Sequence, residues 1–424
     1  MRLIADLHIH SKYSRATSPK MNLVEMAQWA RWKGIDIVST GDFTHPAHFA
    51  AIEELLEPAE DGLFMLKGED KKQDTLRPLR FILTTEVSNI FKQGERTRKI
   101  HNLIFVPSID VAKSIKTTLG AIGNIGSDGR PIFGFSAKDL IKIVLEASPH
   151  AMLVPAHAWT PWFSIFGSRS GFNSIEECFG EYAPHIHAIE TGLSSNPAMN
   201  WRLSALDNIT LISNSDAHSP SKLGREANVF ECAPSYGNIM DIIKTKDRER
   251  FLFTIEFFPE EGKYHADGHR NCGVLFGPDE TIKAGGLCPV CGKGLTVGVL
   301  SRVQELADRP EGFVPENAIP SRHIIPLVEI LSEAMGFGVA SKRVQSEYMR
   351  IISEGGDEFH ILLDMSEGDL IGLAGERAAG AIIKMRRGEV NITPGFDGEF
   401  GKINILGKRE KVTPQGPAQT NLFV

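Results

Sequence analysis

MRLIADLHIHSKYS, residues 1–14, sets an apolar run, Leu3-Ile4-Ala5, directly ahead of two histidines one residue apart, His8 and His10. On a β-strand, residues two apart point to the same face, so both imidazoles leave the strand end together. Two imidazoles so aligned can hold one cation. The pattern of a short apolar strand ending in His, Asp or Glu then recurs along the first half of the chain. It gives Asp42 and nearby His45 in TGDFTHP, Glu86 in TTEVS, His101 in KIHNL, His157 in PAHAW, Glu190 in AIETG, and Asp216 with His218 in SNSDAHSP.

Helical segments such as NLVEMAQWARWKG and AKDLIKIVLEAS separate these strands. Alternation of this kind predicts an α/β fold over residues 1–225, with a parallel sheet that is open or closed into a barrel. In such folds the loops converge at the strand C-termini, where active sites lie. Six or seven strands ending in ligand-type residues predict a converging metal shell.

Imidazole is a borderline ligand, so six histidines with several carboxylates favour zinc, manganese or iron over magnesium. The candidates outnumber one tetrahedral site, which implies two or three divalent ions bridged by a carboxylate. A cluster of that sort acidifies water and grips both oxygens of a phosphoryl displacement, making phosphoester hydrolysis the leading reaction class.

In order and spacing, HIH, the Asp42 segment, Glu86, His101, PAH at His157 and SDAH resemble the motifs of the polymerase and histidinol phosphatase (PHP) superfamily. The resemblance covers roughly residues 1–225 and implies a distorted (β/α)7 barrel with a trinuclear metal site. It also implies His8, His10, Glu86 and Asp216 around one ion, Glu86, His101 and His157 around a second, and His218 with Asp42 around a third. Asp42, His45 and Glu190 are the candidates for catalytic roles. After HIH the chain reads SKYSRATS, without the His or Asp that many members supply there. That departure falls on the third site, with His45 or Glu190 as replacements.

Between residues 255 and 300 the texture changes to a glycine-rich region holding His265, His269, Cys272, Cys288 and Cys291. The CPVCG knuckle with a preceding HxxC predicts one structural zinc on His269, Cys272, Cys288 and Cys291, with His265 in reserve. Residues 301–407 read as a mainly helical region, and 408–424 as a disordered tail. LGAIGNIGSDGRPIFG has phosphate-loop-like spacing but no GK[ST], and reads as a plain loop.

Beside His157, the stretch AWTPWFSIFGSRSGF brings Trp159, Trp162, Phe163 and Phe166 close to the metals, either to stack on an extruded base or to anchor the barrel rim. Arg96, Arg98 and Lys99, or Arg386 and Arg387, are candidates to hold a nucleic-acid backbone.

The barrel, the GHRNC and CPVCG module, the ELADRP helix and PSRHIIPLVEIL together resemble the endonuclease Q family of DNA repair enzymes, over nearly the whole chain. That resemblance implies nicking of damaged DNA on the 5′ side of deaminated bases (uracil, hypoxanthine, xanthine) and of abasic sites. The alternative is a PHP-type small-molecule phosphatase acting on histidinol phosphate or nucleotides, for which nearly half the chain is superfluous. The final QTNLFV resembles the peptides that bind the sliding clamp (PCNA), with Gln419, Leu422 and Phe423 as its contacts.

Composition sets the outer bounds. A formal net charge of −7 over 424 residues argues against a broadly basic nucleic-acid coat, though not against a local basic groove. No run approaches the roughly 18 apolar residues of a membrane span. The N-terminus enters a strand without a secretory leader, so a cytoplasmic location is expected. Five cysteines in so long a chain do not predict a disulfide framework.

Overall fold

The computed structural model of the protein describes residues 1–68 and 78–407. Its first half is a ring of short strands. Arg2–Asp6 pairs in parallel with Ile37–Ser39, which pairs in parallel with Arg80–Gln93. Arg80–Gln93 turns back at Gly94-Glu95 into Arg96–Val106, and that strand pairs antiparallel with Met152–Pro155. Ala188–Glu190 and Thr210–Ile212 follow as a parallel pair. A two-residue connection leaves no length for a crossover helix, so this one long hairpin interrupts the expected run of parallel strands.

Side chains, not a strand ladder, close the ring. The Leu7 and Ser215 amides donate to Asn214 and Asp6, and Asn228 links Ser213 to Ala5. Seven strands therefore surround one interior, and the barrel is distorted where amide and carboxylate groups replace backbone pairing. On the outer side of Arg2–Asp6 the sheet continues antiparallel through Ala227–Glu231 and Phe251–Glu256, then parallel to Ser321–His323.

Helices cover the ring because their apolar stripes match the strand faces. Leu23–Lys33 starts at Asn22, whose side chain accepts from the Glu25 amide, and ends at Gly34 with φ of 84°. A Cβ at Gly34 would sit 2.1 Å from an Asp357 carboxylate oxygen, so a glycine is required by both conformation and space. That close approach joins the barrel to the helical region of Leu327–Met335, Lys342–Gly355 and Glu367–Arg386. Lys33 Nζ lies 2.7 Å from Glu358 Oε2, with both side chains buried across the same junction.

Between these parts, Asp267–His269 and Val274–Phe276 form a small hairpin. Its own core is only Val274, Cys288 and Leu295, with Cys272 and Phe276 packed against it. So small an apolar cluster calls for another source of stability, such as a structural metal.

Candidate metal centre

His8 and His10 leave the end of the first strand and are almost wholly buried. His8 Nδ1 sits 3.0 and 3.1 Å from the two Glu190 oxygens, and His10 Nδ1 sits 3.0 Å from Asp42 Oδ1. A carboxylate at Nδ1 sets the proton there and leaves Nε2 as a bare acceptor. Both Nε2 atoms, with Asp216 Oδ1, are buried and make no well-formed hydrogen bond. Asp216 Oδ1 lies 3.7 Å from His8 Nε2 and 3.2 Å from His10 Nε2.

Glu86 stands between this group and a second one. Its Oε2 is 3.2 Å from His10 Nε2, while its Oε1 is 2.8 Å from His101 Nδ1 and 3.1 Å from His157 Nε2. The ligand atoms of His8, His10 and Asp216 lie within 4.8 Å of one another, and so do those of Glu86, His101 and His157. Buried lone pairs aimed at a common point cost free energy unless a proton or a cation joins them. The donor set thus fits two adjacent divalent ions with Glu86 able to touch both.

Electrostatics agree with this reading. Burial alone would lower the His8 imidazole, but Glu190, Asp216 and Glu86 outweigh it and raise it to about 9. Burial pushes His101 down to about 4. Burial opposes ionisation of Glu86, yet His101 and Arg130 hold it well below the ordinary carboxylate range. A cation would supply the positive charge that protonated histidines supply here.

The backbone is bent to present these groups. Asp42, His157 and Asp216 have φ of 44°, 32° and 45°, values that side chains other than glycine rarely adopt. Strained conformations gathered at one cluster mark a site whose surroundings over-determine it.

Asp42, Glu190, His45 and His218 sit outside these two ligand groups. Asp42 was expected as a ligand and catalytic group, but its Oδ2 already accepts from the Ser11 amide, Ser11 Oγ and Ser14 Oγ. It orients His10. Glu190 likewise accepts from the His157 amide and Asn214 besides its contact with His8. His45 caps the Pro46–Leu55 helix, faces the Gly126 carbonyl at 3.2 Å and stacks on Tyr13, outside the cluster. The His218 ring is 4.6 Å from that of His10, with Nδ1 on the Asp216 carbonyl at 2.9 Å. Among the described residues, no third group of three ligands forms around it.

Trp159 and Phe166 lie in the core. Both are fully buried, 4.9 Å apart, and Trp159 Nε1 donates to Asn200 Oδ1 at 2.7 Å. Phe163 packs on the His101 ring at 4.7 Å, whereas Trp162 stays 39% exposed beside Tyr264. Arg98 is buried against Glu177, and Arg386 donates to the carbonyls of Ile361, Leu362 and Met365.

Arg130 was missed. It lies in the loop read as plain, and its Nη1 is 2.9 Å from Glu86 Oε2. Its segment carries no recognisable motif, so only the fold brings it here.

Away from the barrel, His269, Cys272, Cys288 and Cys291 come together with their ligand atoms within 4.8 Å. His265 is elsewhere: burial lowers its imidazole to about 4, and it lines a cavity of about 500 Å³ with Glu260 and Arg202. Gln419, Leu422 and Phe423 lie outside the described residues.

The chain superposes on the crystal structure of the lesion-specific endonuclease PfuEndoQ from Pyrococcus furiosus with a TM-score of 0.84 and 31% identity, covering 96% of each chain. The chain belongs to the endonuclease Q family. A crystal structure of endonuclease Q with a 27-mer duplex substrate, an abasic lesion at its active site, matches with a TM-score of 0.83 and 30% identity. It covers 97% of this chain and 99% of that one. Protein MJ0043 of Methanocaldococcus jannaschii is 33% identical over 267 residues, 61% of this chain, which spans only 33% of that protein. The family described as MJ0043 C-terminal domain matches residues 326–389. Endonuclease Q membership makes the chain a metal-dependent endonuclease with a PHP-type fold. Among the described residues no helix is long and apolar enough to cross a membrane.

Proposed function

We propose that this endonuclease Q family member is a DNA repair endonuclease that hydrolyses the phosphodiester on the 5′ side of abasic sites and of deaminated bases (uracil, hypoxanthine, xanthine). The observation that carries the reading is the bridging placement of Glu86 between two ligand groups, in the first of which the His8 and His10 Nε2 atoms and Asp216 Oδ1 are buried and unsatisfied. Similarity to an endonuclease Q bound to an abasic duplex supports the choice of substrate.

Zinc, manganese or iron suits the histidine-rich set, and a structural zinc suits the cysteine module. Bound ions would acidify an attacking water and offset charge on the phosphoryl oxygens. The chain's own residues do the positioning. Glu190 and Asp42 hold His8 and His10 with Nε2 open, and Trp162 beside Tyr264 offers an exposed aromatic face to an extruded base. As the water oxygen bonds to phosphorus the P–O3′ bond breaks, the proton passes to the departing oxygen, and a 3′-hydroxyl and a 5′-phosphate result.

The test is incubation of the metal-loaded protein with end-labelled duplexes carrying one abasic site, deoxyuridine or deoxyinosine, beside p-nitrophenyl phosphate. A single nick 5′ to each lesion is expected. Phosphate release from the small substrate with every duplex left intact would overturn the reading in favour of a small-molecule phosphatase. The terminal QTNLFV is proposed to bind the sliding clamp through Gln419, Leu422 and Phe423. Calorimetric titration of that peptide into the clamp should give heat that is lost when Leu422 and Phe423 are replaced by alanine.

A further inference from the structure

The loop before Ile132–Phe133 is built to deliver one guanidinium to the metal centre. The Gly129 amide donates to the Tyr13 carbonyl, the Arg130 amide donates to Asp128 Oδ1, and the Ser88 amide donates to the Pro131 carbonyl. Ile132 then pairs with Ser88, two residues beyond Glu86 on the same strand. A Cβ at Gly129 would come within 2.3 Å of both Asp42 Oδ2 and Ser14 Oγ, so the loop is pressed onto the groups that hold His10. Arg130 is tied on both sides. Its guanidinium has little choice but the space beside Glu86.

Glu86 carries one negative charge, already addressed by His10, His101 and His157, and two divalent ions would claim both of its oxygens. A guanidinium 2.9 Å from Oε2, whose charge Asp216 and Asp128 also favour, then stays charged at the edge of the ligand groups, where it could meet a phosphoryl oxygen. Only Nη1 bonds to protein among the described residues, and the side chain keeps 24% exposure, leaving other N–H groups accessible from solvent. Planar guanidinium groups match phosphate oxygens in a bidentate way that a lysine cannot.

We infer that Arg130 is a catalytic residue which binds a non-bridging oxygen of the scissile phosphate and stabilises the charge that gathers there during hydrolysis. The inference rests on the proposed function for its substrate and on filled ligand groups beside Glu86, while its anion-binding half does not depend on which phosphoester is cleaved. The metal-loaded wild-type, Arg130→Ala and Arg130→Lys proteins would be compared by metal analysis, thermal melting, calorimetric titration with orthovanadate, and incision kinetics on the abasic duplex. Arg130→Ala should keep its ions and melting temperature, bind orthovanadate at least about tenfold more weakly, and lose about 10²- to 10³-fold in kcat with KM little changed. Arg130→Lys should fall between. Wild-type orthovanadate affinity in Arg130→Ala, or loss of its ions, would overturn the role. If wild type nicks no duplex, the substrate reading fails, and the orthovanadate comparison still decides whether Arg130 binds a phosphate-like anion.

Discussion

Glu190 ties His8 to the barrel frame, with Nδ1 shared by both carboxylate oxygens at 3.0 and 3.1 Å and both side chains buried. Glu190 also receives the His157 amide and Asn214, so one carboxylate orients histidines of both ligand groups. Glu190→Gln keeps the shape but weakens the hold on the tautomer. Metal affinity should fall about 10- to 100-fold, since that is the usual cost of losing such a partner. Titration of the apoprotein with manganese or zinc measures it, and unchanged affinity would remove Glu190 from this role.

His8→Ala and Asp216→Ala remove ligands that contribute little apolar packing. Incision should be abolished while binding to an abasic duplex survives. Gel-shift and nicking assays on the same samples check this; near wild-type cleavage by both variants at full metal loading would refute the ligand assignment.

Cys288→Ser combined with Cys291→Ser should remove one zinc per chain by elemental analysis. The hairpin at 267–276 should then become protease-sensitive, because its own apolar core is three residues. Undiminished zinc content would argue against a site there.

Lys33 and Glu358 make a buried ion pair, and Glu358 also accepts from the Tyr348 hydroxyl and the Leu327 amide. Lys33→Met leaves that carboxylate buried without its cation, at a cost of about 3–5 kcal/mol. The urea midpoint should drop accordingly. A shift within about 0.5 kcal/mol, the range of an ordinary surface substitution, would mean that the pair does not lock the helical region to the barrel.

Glu256 is wholly buried, and burial raises it from 4.5 to about 8 despite a hydrogen bond from the Thr191 hydroxyl. Between those two values the folded state holds a proton that the unfolded chain has released. Stability should therefore decline as pH rises from about 5 to 8, by up to about 1.4 kcal/mol per pH unit. Glu256→Gln should flatten the slope without abolishing it, because Glu226 is also pushed well up, by burial and by Glu256 beside it. Urea titrations at several pH values test it, and parallel slopes in both proteins would count against it.

Much of the barrel and of its candidate ligand groups was legible in the chain. Period-two alternation and residue type are local properties, so His8, His10, Glu86, His101, His157 and Asp216 stand out at strand ends before any coordinates are known. The Cys272, Cys288 and Cys291 spacing is equally local. Whether a carboxylate binds a metal or holds the histidine that does is a different matter. Asp42 and Glu190 have the same chemistry as Glu86, and only the direction of each side chain separates them.

The amino-acid sequence determined which elements form and which side chains can ligate, because strand pattern and donor chemistry are carried by neighbouring residues. Tertiary structure alone decided who meets whom. It buried Trp159 and Phe166 while leaving Trp162 exposed, and swung a glycine-rich loop across Asp42 to set Arg130 against Glu86. Each of those outcomes depends on contacts between residues 40 or more positions apart or on the packing of whole elements, and no local pattern encodes them.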